Sequence, residues 1–235
     1  MQKIQSIPQA VWDKILPLAD QCIQEVMKTQ GSSKFEEPKT FKQFVQTSYG
    51  VVEGSSFKCI RGEIKIKGDI MKALAYDMEE REVTPDMKKD ERAGRACKYI
   101  YYPDTKSSDY CKALLKGPQP FQEVVMLLHQ VNEAGVPLVS NREFVALRIA
   151  KDQSTDKKKF IVYTKSVEPG IDFAKKVVRA QIINFNLYEE VADGEFKASN
   201  FFFCDPCGSI PGAVFNSTLE GQMDYLINLK QYCEK

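Results

Sequence analysis

The sequence contains a single histidine, His129, and this scarcity limits the chemistry that it can support. Relays of several imidazoles are disfavoured, because they need more than one histidine base. His129 is the only histidine available for a nucleophile–histidine–acid set, and no Gly-x-Ser-x-Gly, His-Glu-x-x-His or phosphate-binding glycine motif occurs. The sequence therefore gives little support for catalysis, although a site built on cysteine or carboxylate stays open.

An excess of charge and a long apolar run are also missing. Lys and Arg total 33 against 32 acidic residues, so the net charge of +1 gives no reason to expect a nucleic-acid partner. No apolar run approaches the roughly 18 residues that span a bilayer, and the N-terminal residues lack the apolar core of a secretory signal. The odd number of cysteines, seven, favours free thiols. We expect a soluble cytoplasmic protein that meets membranes only transiently and needs no cofactor.

Apolar periodicity predicts two helices and two strands in the first third of the chain. A helix is predicted over Pro8–Gln30, with a kink or restart at Pro17, because apolar residues recur there at helical spacing. Asp69 is a plausible cap for the second helix. Alternation of apolar and polar residues predicts two strands between the helices, Phe41–Val52 and Phe57–Lys67.

The remainder predicts a run of strands and one long helix. Residues 79–109 are highly charged and then rich in turn formers, and no element is assigned there. The final helix is predicted over Ser209–Cys233, capped by Ser209, with Pro211 in its first turn. At about 1.5 Å per residue it would extend roughly 35 Å, enough to cross a sheet. The strands expected to form an antiparallel meander are Cys111–Leu115, Phe121–Val131, Glu143–Lys151, Lys159–Lys165, Val177–Glu189 and Phe196–Cys204.

Two segments resemble the START (steroidogenic acute regulatory protein-related lipid transfer) domain family. Residues 138–151 read LVSNREFVALRIAK, which is similar to the central Arg-acidic-Phe-Val segment of that family and its second Arg. Residues 205–211 read DPCGSIP, which resembles the Asp-Pro-Gly-Gly-Ser-Ile-Pro turn before the last helix of START domains. The order of elements is similar from residue 9 to the end. Cys207 departs from the pattern by replacing a Gly, and the Trp-Asp pair common after the second helix is missing.

The resemblance implies an α+β helix-grip fold. In it, a curved antiparallel sheet of about eight or nine strands wraps around a long C-terminal helix, and an N-terminal helix precedes the sheet. It further implies one domain over residues 1–235 and a tunnel for one lipid, whether phospholipid, sterol or fatty-acyl lipid. We expect a monomeric carrier or sensor. An enzyme on the same scaffold (thioesterase, hydrolase or cyclase) and an interaction module with a filled cavity are the alternatives.

Strand parity and helical spacing predict which side chains line the tunnel. A one-residue error in parity would exchange each strand set for its neighbours. The predicted ligand-binding residues are Val125, Leu127, His129, Phe144, Ala146, Arg148, Ile183, Phe185, Phe201 and Phe203 from the strands, and Phe215, Leu219, Met223 and Leu226 from the helix.

Arg148 is the residue that the resemblance marks most clearly. In START domains the matching Arg points into the tunnel and pairs with an acidic residue on the neighbouring strand, a position that here falls on His129. A buried Arg without a counter-ion is unfavourable, so we expect it to bind neutral His129, a water or an anionic head group of the ligand. Alternatively, His129 bonds to backbone in the core, or Arg148 forms a surface ion pair.

Three further residues have structural interpretations. Arg142, at the start of a predicted strand, is expected to fix the preceding loop. Cys204 and Cys207 have the spacing of a redox pair or half a zinc site. No second pair of ligands with zinc spacing occurs, so the favoured interpretation is two thiols in a strand-to-helix turn.

Overall fold

The computed structural model describes residues 3–82, 97–133 and 139–235. The helices are α1 Gln9–Ile15, α2 Ala19–Ser32, α3 Ile70–Met78, α4 Thr105–Lys116, α5 Gly212–Asn216 and α6 Asp224–Cys233, with 3-10 turns at Leu16–Leu18 and Leu219–Met223. The strands are β1 Lys34–Phe35, β2 Lys39–Phe41, β3 Val45–Val51, β4 Lys58–Lys67, β5 Arg81–Glu82, β6 Cys97–Tyr101, β7 Val124–Asn132, β8 Arg142–Asp152, β9 Lys159–Ser166, β10 Val178–Arg179, β11 Gln181–Ala192 and β12 Glu195–Asp205.

The strands form one sheet of 12 strands within the described ranges. Its order is β1-β3-β4-β12-β11-β9-β8-β7-β6-β5, with β2 paired to β3 and β10 to β8. Every pairing is antiparallel except that of β10 with β8. The predicted antiparallel helix-grip architecture is confirmed, and the strands beyond the expected number are mostly pairs of residues such as β1, β5 and β10.

Helices pack on both faces of the sheet. One face, here called the inner face, packs against α3, α4 and the C-terminal helices through a core that includes Leu74, Leu226 and Leu229. The other, called the outer face, packs under α1 and α2 through a second core around Trp12 and Val26. Burial of apolar area on two faces at about 25 cal/mol per Å² is what holds the layers together.

Several local predictions are confirmed, because each depends on a short-range rule. The N-terminal helix breaks into α1 and α2 at the 3-10 turn that contains Pro17. The Asp69 carboxylate accepts a hydrogen bond of 2.9 Å from the Met71 amide and caps α3. β4 alternates between buried inner residues and exposed outer ones, as its sequence predicts.

The predicted strand Cys111–Leu115 is wrong, because these residues belong to α4. The Asp104 carboxylate accepts a hydrogen bond of 2.6 Å from the Ser107 amide and starts this helix. Cys111 and Leu114 are three residues apart, so in a helix they share the face that packs on the inner core. Within the unassigned segment 79–109 the structure has β5 and β6, whereas residues 83–96 lie outside the described residues, as does Leu138 of the first motif.

The predicted C-terminal helix is found, but its start at Ser209 and its continuity to Cys233 are wrong. The chain enters a helix only at Gly212, without a side-chain cap, so Ser209 does not cap it. α5 ends where the hydroxyls of Ser217 and Thr218 bond back to the carbonyls of Val214 and Phe215, each at 2.8 Å. Such bonds compete with the helical pattern, and a 3-10 turn separates α5 from α6.

Candidate ligand-binding site

A polar band crosses the inner face where the sheet would otherwise be apolar. Arg148 in β8 lies opposite Thr164 in β9, which in turn lies opposite Asn184 in β11. One row further along, Asn186 lies opposite Asn200 in β12. All five side chains belong to residues that are buried. Buried polar groups need partners, so the band must be satisfied from within the protein or by a bound molecule.

Asp77, the last residue but one of α3, accepts several bonds from this band and its neighbours, and it is 1% exposed. Its carboxylate accepts hydrogen bonds from Asn186 at 3.0 and 3.1 Å, from the hydroxyl of Tyr188 at 2.7 Å and from that of Tyr225 at 2.9 Å. Burial, followed by the charge of Asp77, raises the pKa of both tyrosines well above the usual range, so they stay protonated donors. We call Asp77, Asn186, Tyr188, Tyr225 and Arg148 the Asp77 cluster.

Two cations meet at the carboxyl end of α3. Arg148 Nη1 donates to the backbone oxygen of Asp77 at 2.8 Å and lies 3.7 Å from its Oδ1, while Nε donates to Thr164 at 3.1 Å. Lys98 Nζ donates to the same backbone oxygen at 3.0 Å. Cations are favoured at this end of a helix, where carbonyl groups lack partners. Burial and the nearby Arg148 lower the pKa of Lys98 well below the usual range for lysine.

Arg148 thus has a counter-ion that the sequence analysis did not identify. Its acidic partner comes from α3 and not from the strand next to β8. Met126, not His129, lies directly opposite Arg148 in β7. The alternative of a surface ion pair for Arg148 is contradicted, since the residue is 8% exposed.

The predicted lining residues divide between the two faces. Phe144, Ala146 and Arg148 lie on the inner face, as do the four residues predicted from the C-terminal helix. The prediction of parity is wrong for β7, β11 and β12, where the alternate side chains point inward. The predicted lining residues that lie on the outer face instead are Val125, Leu127, His129, Ile183, Phe185, Phe201 and Phe203.

The reason for this error is that the outer face is the more apolar one. The N-terminal helices bury much of it across β7, β8 and β9, for example at Leu127 and Leu147. The inner face carries asparagine and serine side chains between its apolar residues. Assigning the apolar residues of each strand to the tunnel therefore selected the wrong face.

His129 takes part in a separate buried ion network on the outer face. Its Nε2 lies 3.0 Å from Glu143 Oε1, and Arg179 Nε donates to Glu143 Oε2 at 2.7 Å. Burial alone would raise the pKa of Glu143, but the hydrogen bonds from His129 and Arg179 outweigh it and lower the pKa. His129 packs between the rings of Tyr99 and Phe173. The alternative of a core histidine holds, although it bonds to a carboxylate and not to backbone.

Arg142 fixes the turn before the last helices. Its guanidinium donates to the carbonyls of Pro206 at 2.7 Å and Cys207 at 3.2 Å, and also to that of Ser140 in the preceding loop. The structural interpretation of Arg142 is confirmed. Cys207 has a φ of +51°, a left-handed conformation that glycine adopts more easily. This matches the glycine that it replaces in the family pattern.

Several neighbouring residues on the inner face, in β8, β9 and β11, are partly exposed although they lie in the middle of the sheet. Arg148, Ser166 and Asn184 are 8%, 7% and 7% exposed, whereas Val162 and Ala198, further along β9 and β12, are 0% exposed. Ile182 and Phe202 at this level are half-buried, although strands flank them on both sides. Central strands can be exposed there only if α5 and its neighbours do not fill the volume above them.

The predicted site residues do not include Asp77, Lys98, Asn184, Asn186 and Asn200. A signal was present in β11, where the asparagines alternate with apolar residues in the segment QIINFNLYEE. Burying an amide is unfavourable unless it forms hydrogen bonds. In a sheet that is buried on both faces, the face that carries the amides is therefore the one that offers hydrogen bonds to neighbouring elements or to a ligand. No comparable signal exists for Lys98, because no periodicity predicts a regular element over residues 79–109.

A cleft of about 790 Å³ lies elsewhere, on the outside of the molecule. Its lining includes Trp12, Tyr101 and Lys112, and the ion pair of Lys3 with Glu80 lies beside it. Lys3, Glu80 and Lys112 are all exposed charges. The inner face is the better candidate site because its charged groups are buried and converge.

Two kinds of site are not found in the part of the chain that the structure describes. No group of three or more His, Cys, Asp or Glu side chains is arranged to hold a metal ion. None of the described helices has the length and apolar character needed to cross a bilayer.

Comparison with solved structures finds similar folds over nearly the whole chain. Human StAR-related lipid transfer protein 5 has a TM-score of 0.62 and 16% identity, over 95% of this chain and 96% of that one. The lipid transfer and protein localization domain of human StarD13 has a TM-score of 0.61 and 12% identity, over 92% and 96%. A STAR-related lipid transfer protein from Xanthomonas axonopodis has a TM-score of 0.60 and 16% identity, over 86% and 99%.

Sequence comparisons give no match, either to a family model or to a curated protein. The structural likenesses, at low identity, concern the fold. The described order of strands, the helices on the inner face and the two sequence motifs agree with it. The chain therefore has the helix-grip fold of START domains.

Proposed function

We propose that residues 1–235 form one domain that binds a single lipid above the inner face and exchanges it with membranes. The observation that carries the proposal is the partial exposure of Arg148, Ser166, Asn184, Ile182 and Phe202 in the middle of the sheet. An apolar chain that fills this space replaces contact with water. The fold, which lipid transfer proteins also have, agrees with this use.

The energetics suit a carrier. Burial of a methylene group gains about 0.8 kcal/mol relative to water, so a chain of about 16 carbons would gain roughly 13 kcal/mol. The same chain gains almost nothing on moving from a membrane into the protein. Exchange with a membrane can therefore be nearly reversible, while loss to water is strongly opposed. Polar contacts would set selectivity.

The described chemistry favours a carrier over an enzyme on this scaffold. The only histidine lies on the outer face and bonds to Glu143. Burial raises the pKa of the inner thiols, to about 11 for Cys111 and about 12 for Cys233, so they are protonated and poorly nucleophilic at neutral pH. Asp77, the buried carboxylate, already accepts bonds from three residues.

The proposed setting is a reducing compartment in which the protein is monomeric and touches membranes transiently. None of the seven cysteines forms a disulfide in the structure, which suits such a compartment. Phospholipid, sterol and fatty-acyl lipids all remain within the proposal at this stage.

A pair of variants on one strand tests the proposal. Ile182→Trp places an indole in the space above the inner face, whereas Ile183→Trp adds the same group to the outer face of the same strand. The assay measures transfer of pyrene-labelled lipids between donor and acceptor vesicles, and circular dichroism checks folding. We expect Ile182→Trp to abolish transfer and Ile183→Trp to retain it.

Two results would contradict the proposal. One is transfer by Ile182→Trp at the wild-type rate. The other is a purified wild-type protein without bound lipid. Native mass spectrometry would then show no lipid adduct, organic extraction would recover no lipid, and the protein would take up none from vesicles. That second result would favour an interaction module whose interior is filled by side chains.

A further inference from the structure

The cations on the inner face outnumber the carboxylate that faces them. At the carboxyl end of α3, Arg148 and Lys98 both bond to the backbone oxygen of Asp77. Among the described residues, the neighbouring Arg81 and Glu79 form an ion pair, with 3.1 Å between Arg81 Nη2 and Glu79 Oε2, so their charges compensate each other. With Lys98 protonated, the group formed by Arg148, Lys98 and Asp77 carries two cations and one carboxylate, which leaves one positive charge without a counter-ion.

The Asp77 carboxylate has little capacity left for these cations. Its oxygens accept from Asn186, Tyr188 and Tyr225, and Arg148 Nη1 reaches Oδ1 only at 3.7 Å. A carboxylate that accepts several short hydrogen bonds has few lone pairs for a further partner. The charge of Asp77 is thus shared among many donors.

Arg148 and Lys98 keep donors that no described residue satisfies. The guanidinium uses Nε on Thr164 and Nη1 on Asp77, which leaves Nη2 without an acceptor in the described part of the chain. To the described residues, Lys98 Nζ donates one of its three possible bonds. Arg148 is 8% exposed, and Lys98 is half-buried. Both side chains therefore border space that protein atoms do not fill.

We infer that the ligand carries an anionic group, a phosphate or a carboxylate, which Lys98 and Arg148 bind together. The inference rests on the proposed function, since it names the chemical class of the lipid in that same space. An anion placed between Nζ and Nη2 would supply the missing charge and accept the free donors in charge-assisted bonds. The apolar tail would extend along the half-buried Ile182 and Phe202.

Three pyrene-labelled probes test the inference on the delipidated full chain. Phosphatidic acid carries a phosphate, a free fatty acid carries a carboxylate, and diacylglycerol is neutral. Hydrogen bonds to a charged group are among the stronger ones, so we expect at least one anionic probe to bind about tenfold or more tightly than diacylglycerol. The preference between phosphatidic acid and the fatty acid identifies the source of the anion.

Variants of Lys98 separate charge from folding. Lys98→Met should lower the affinity for the preferred anionic probe about tenfold and leave diacylglycerol binding unchanged or improved, whereas Lys98→Arg should retain the preference. Lys65→Met, on the exposed side of β4, is the matched control and should change neither. Thermal melting confirms that each variant is folded.

The outcomes for the two proposals differ. Diacylglycerol bound as tightly as both anionic probes, or equal losses for all probes in Lys98→Met, would overturn the anionic ligand and leave a lipid carrier in place. A wild-type protein that binds none of the three probes and no sterol would overturn the proposed function as well.

Discussion

Asp77→Asn removes the negative charge at the centre of the polar band and is the most informative single change. The side chain is 1% exposed and is the counter-ion of Arg148. Loss of one partner from a buried ion pair destabilises by about 3–5 kcal/mol, because the other charge stays buried. The asparagine oxygen can still accept one or two of the bonds from Asn186, Tyr188 and Tyr225, so we expect a value near 4 kcal/mol and not the sum of all bonds.

Equilibrium unfolding in urea measures this loss. The fluorescence of Trp12 reports on the outer core and far-ultraviolet circular dichroism on the whole sheet. A loss of about 4 kcal/mol should lower the melting temperature by roughly 8–16 °C in a protein of this size. Asp20→Asn is the matched control, since the side chain of Asp20 is 86% exposed, and it should change stability by less than about 0.5 kcal/mol.

A loss below about 1 kcal/mol for Asp77→Asn would refute the reasoning. It would mean that Arg148 and Lys98 lie in a well-hydrated space where the carboxylate adds little. Separate transitions for the two optical signals would show instead that the inner and outer cores unfold independently, in which case a single free energy of unfolding is not defined.

Three other perturbations test other parts of the structure. Gly62→Val should destabilise by about 1–3 kcal/mol in urea, because a side chain on β4 would overlap the sulfur of Met223, whereas Gly221→Ala, with open space around it, should not destabilise. Cys207→Gly should raise the free energy of unfolding by up to about 1 kcal/mol. The energy that Cys207 loses in its left-handed conformation exceeds the entropy that glycine adds to the unfolded chain. A clear loss of stability would contradict this. Burial raises the pKa of Tyr225 well above its usual range, so its contribution to stability is present below about pH 10 and declines above it. Tyr225→Phe should therefore reduce the alkaline slope of the unfolding free energy by about 1.4 kcal/mol per pH unit, and an unchanged slope would contradict the assignment.

The sequence predicted those parts of the fold that depend on neighbouring residues. The break at Pro17, the cap at Asp69 and the alternation in β4 follow from local geometry, and each is found. The run Cys111–Leu115 was misassigned because five residues with apolar character suit a strand or a helix equally. The capping bond from Asp104, which decides between them, lies in a segment without an assigned element.

The candidate site was predictable only in part. Arg148 was placed on the inner face correctly, since β8 carries the family-like motif. Its counter-ion was not found, because Asp77 comes from a helix that is distant in sequence and no strand count can locate it. The inward asparagines of β11 were overlooked because binary patterning assumes one apolar face, and this sheet has two buried faces.

The division of the C-terminal segment into α5 and α6 has a consequence for local stability. α5 has no fully buried residue, and Val214 is 58% exposed, whereas α6 buries Leu226, Leu229 and Cys233. Detaching α5 therefore sacrifices far less apolar contact than detaching α6. In native-state hydrogen exchange the amides of α5 should exchange well before those of α6, and the chain beside the partly exposed inner face would open while the far end stays docked.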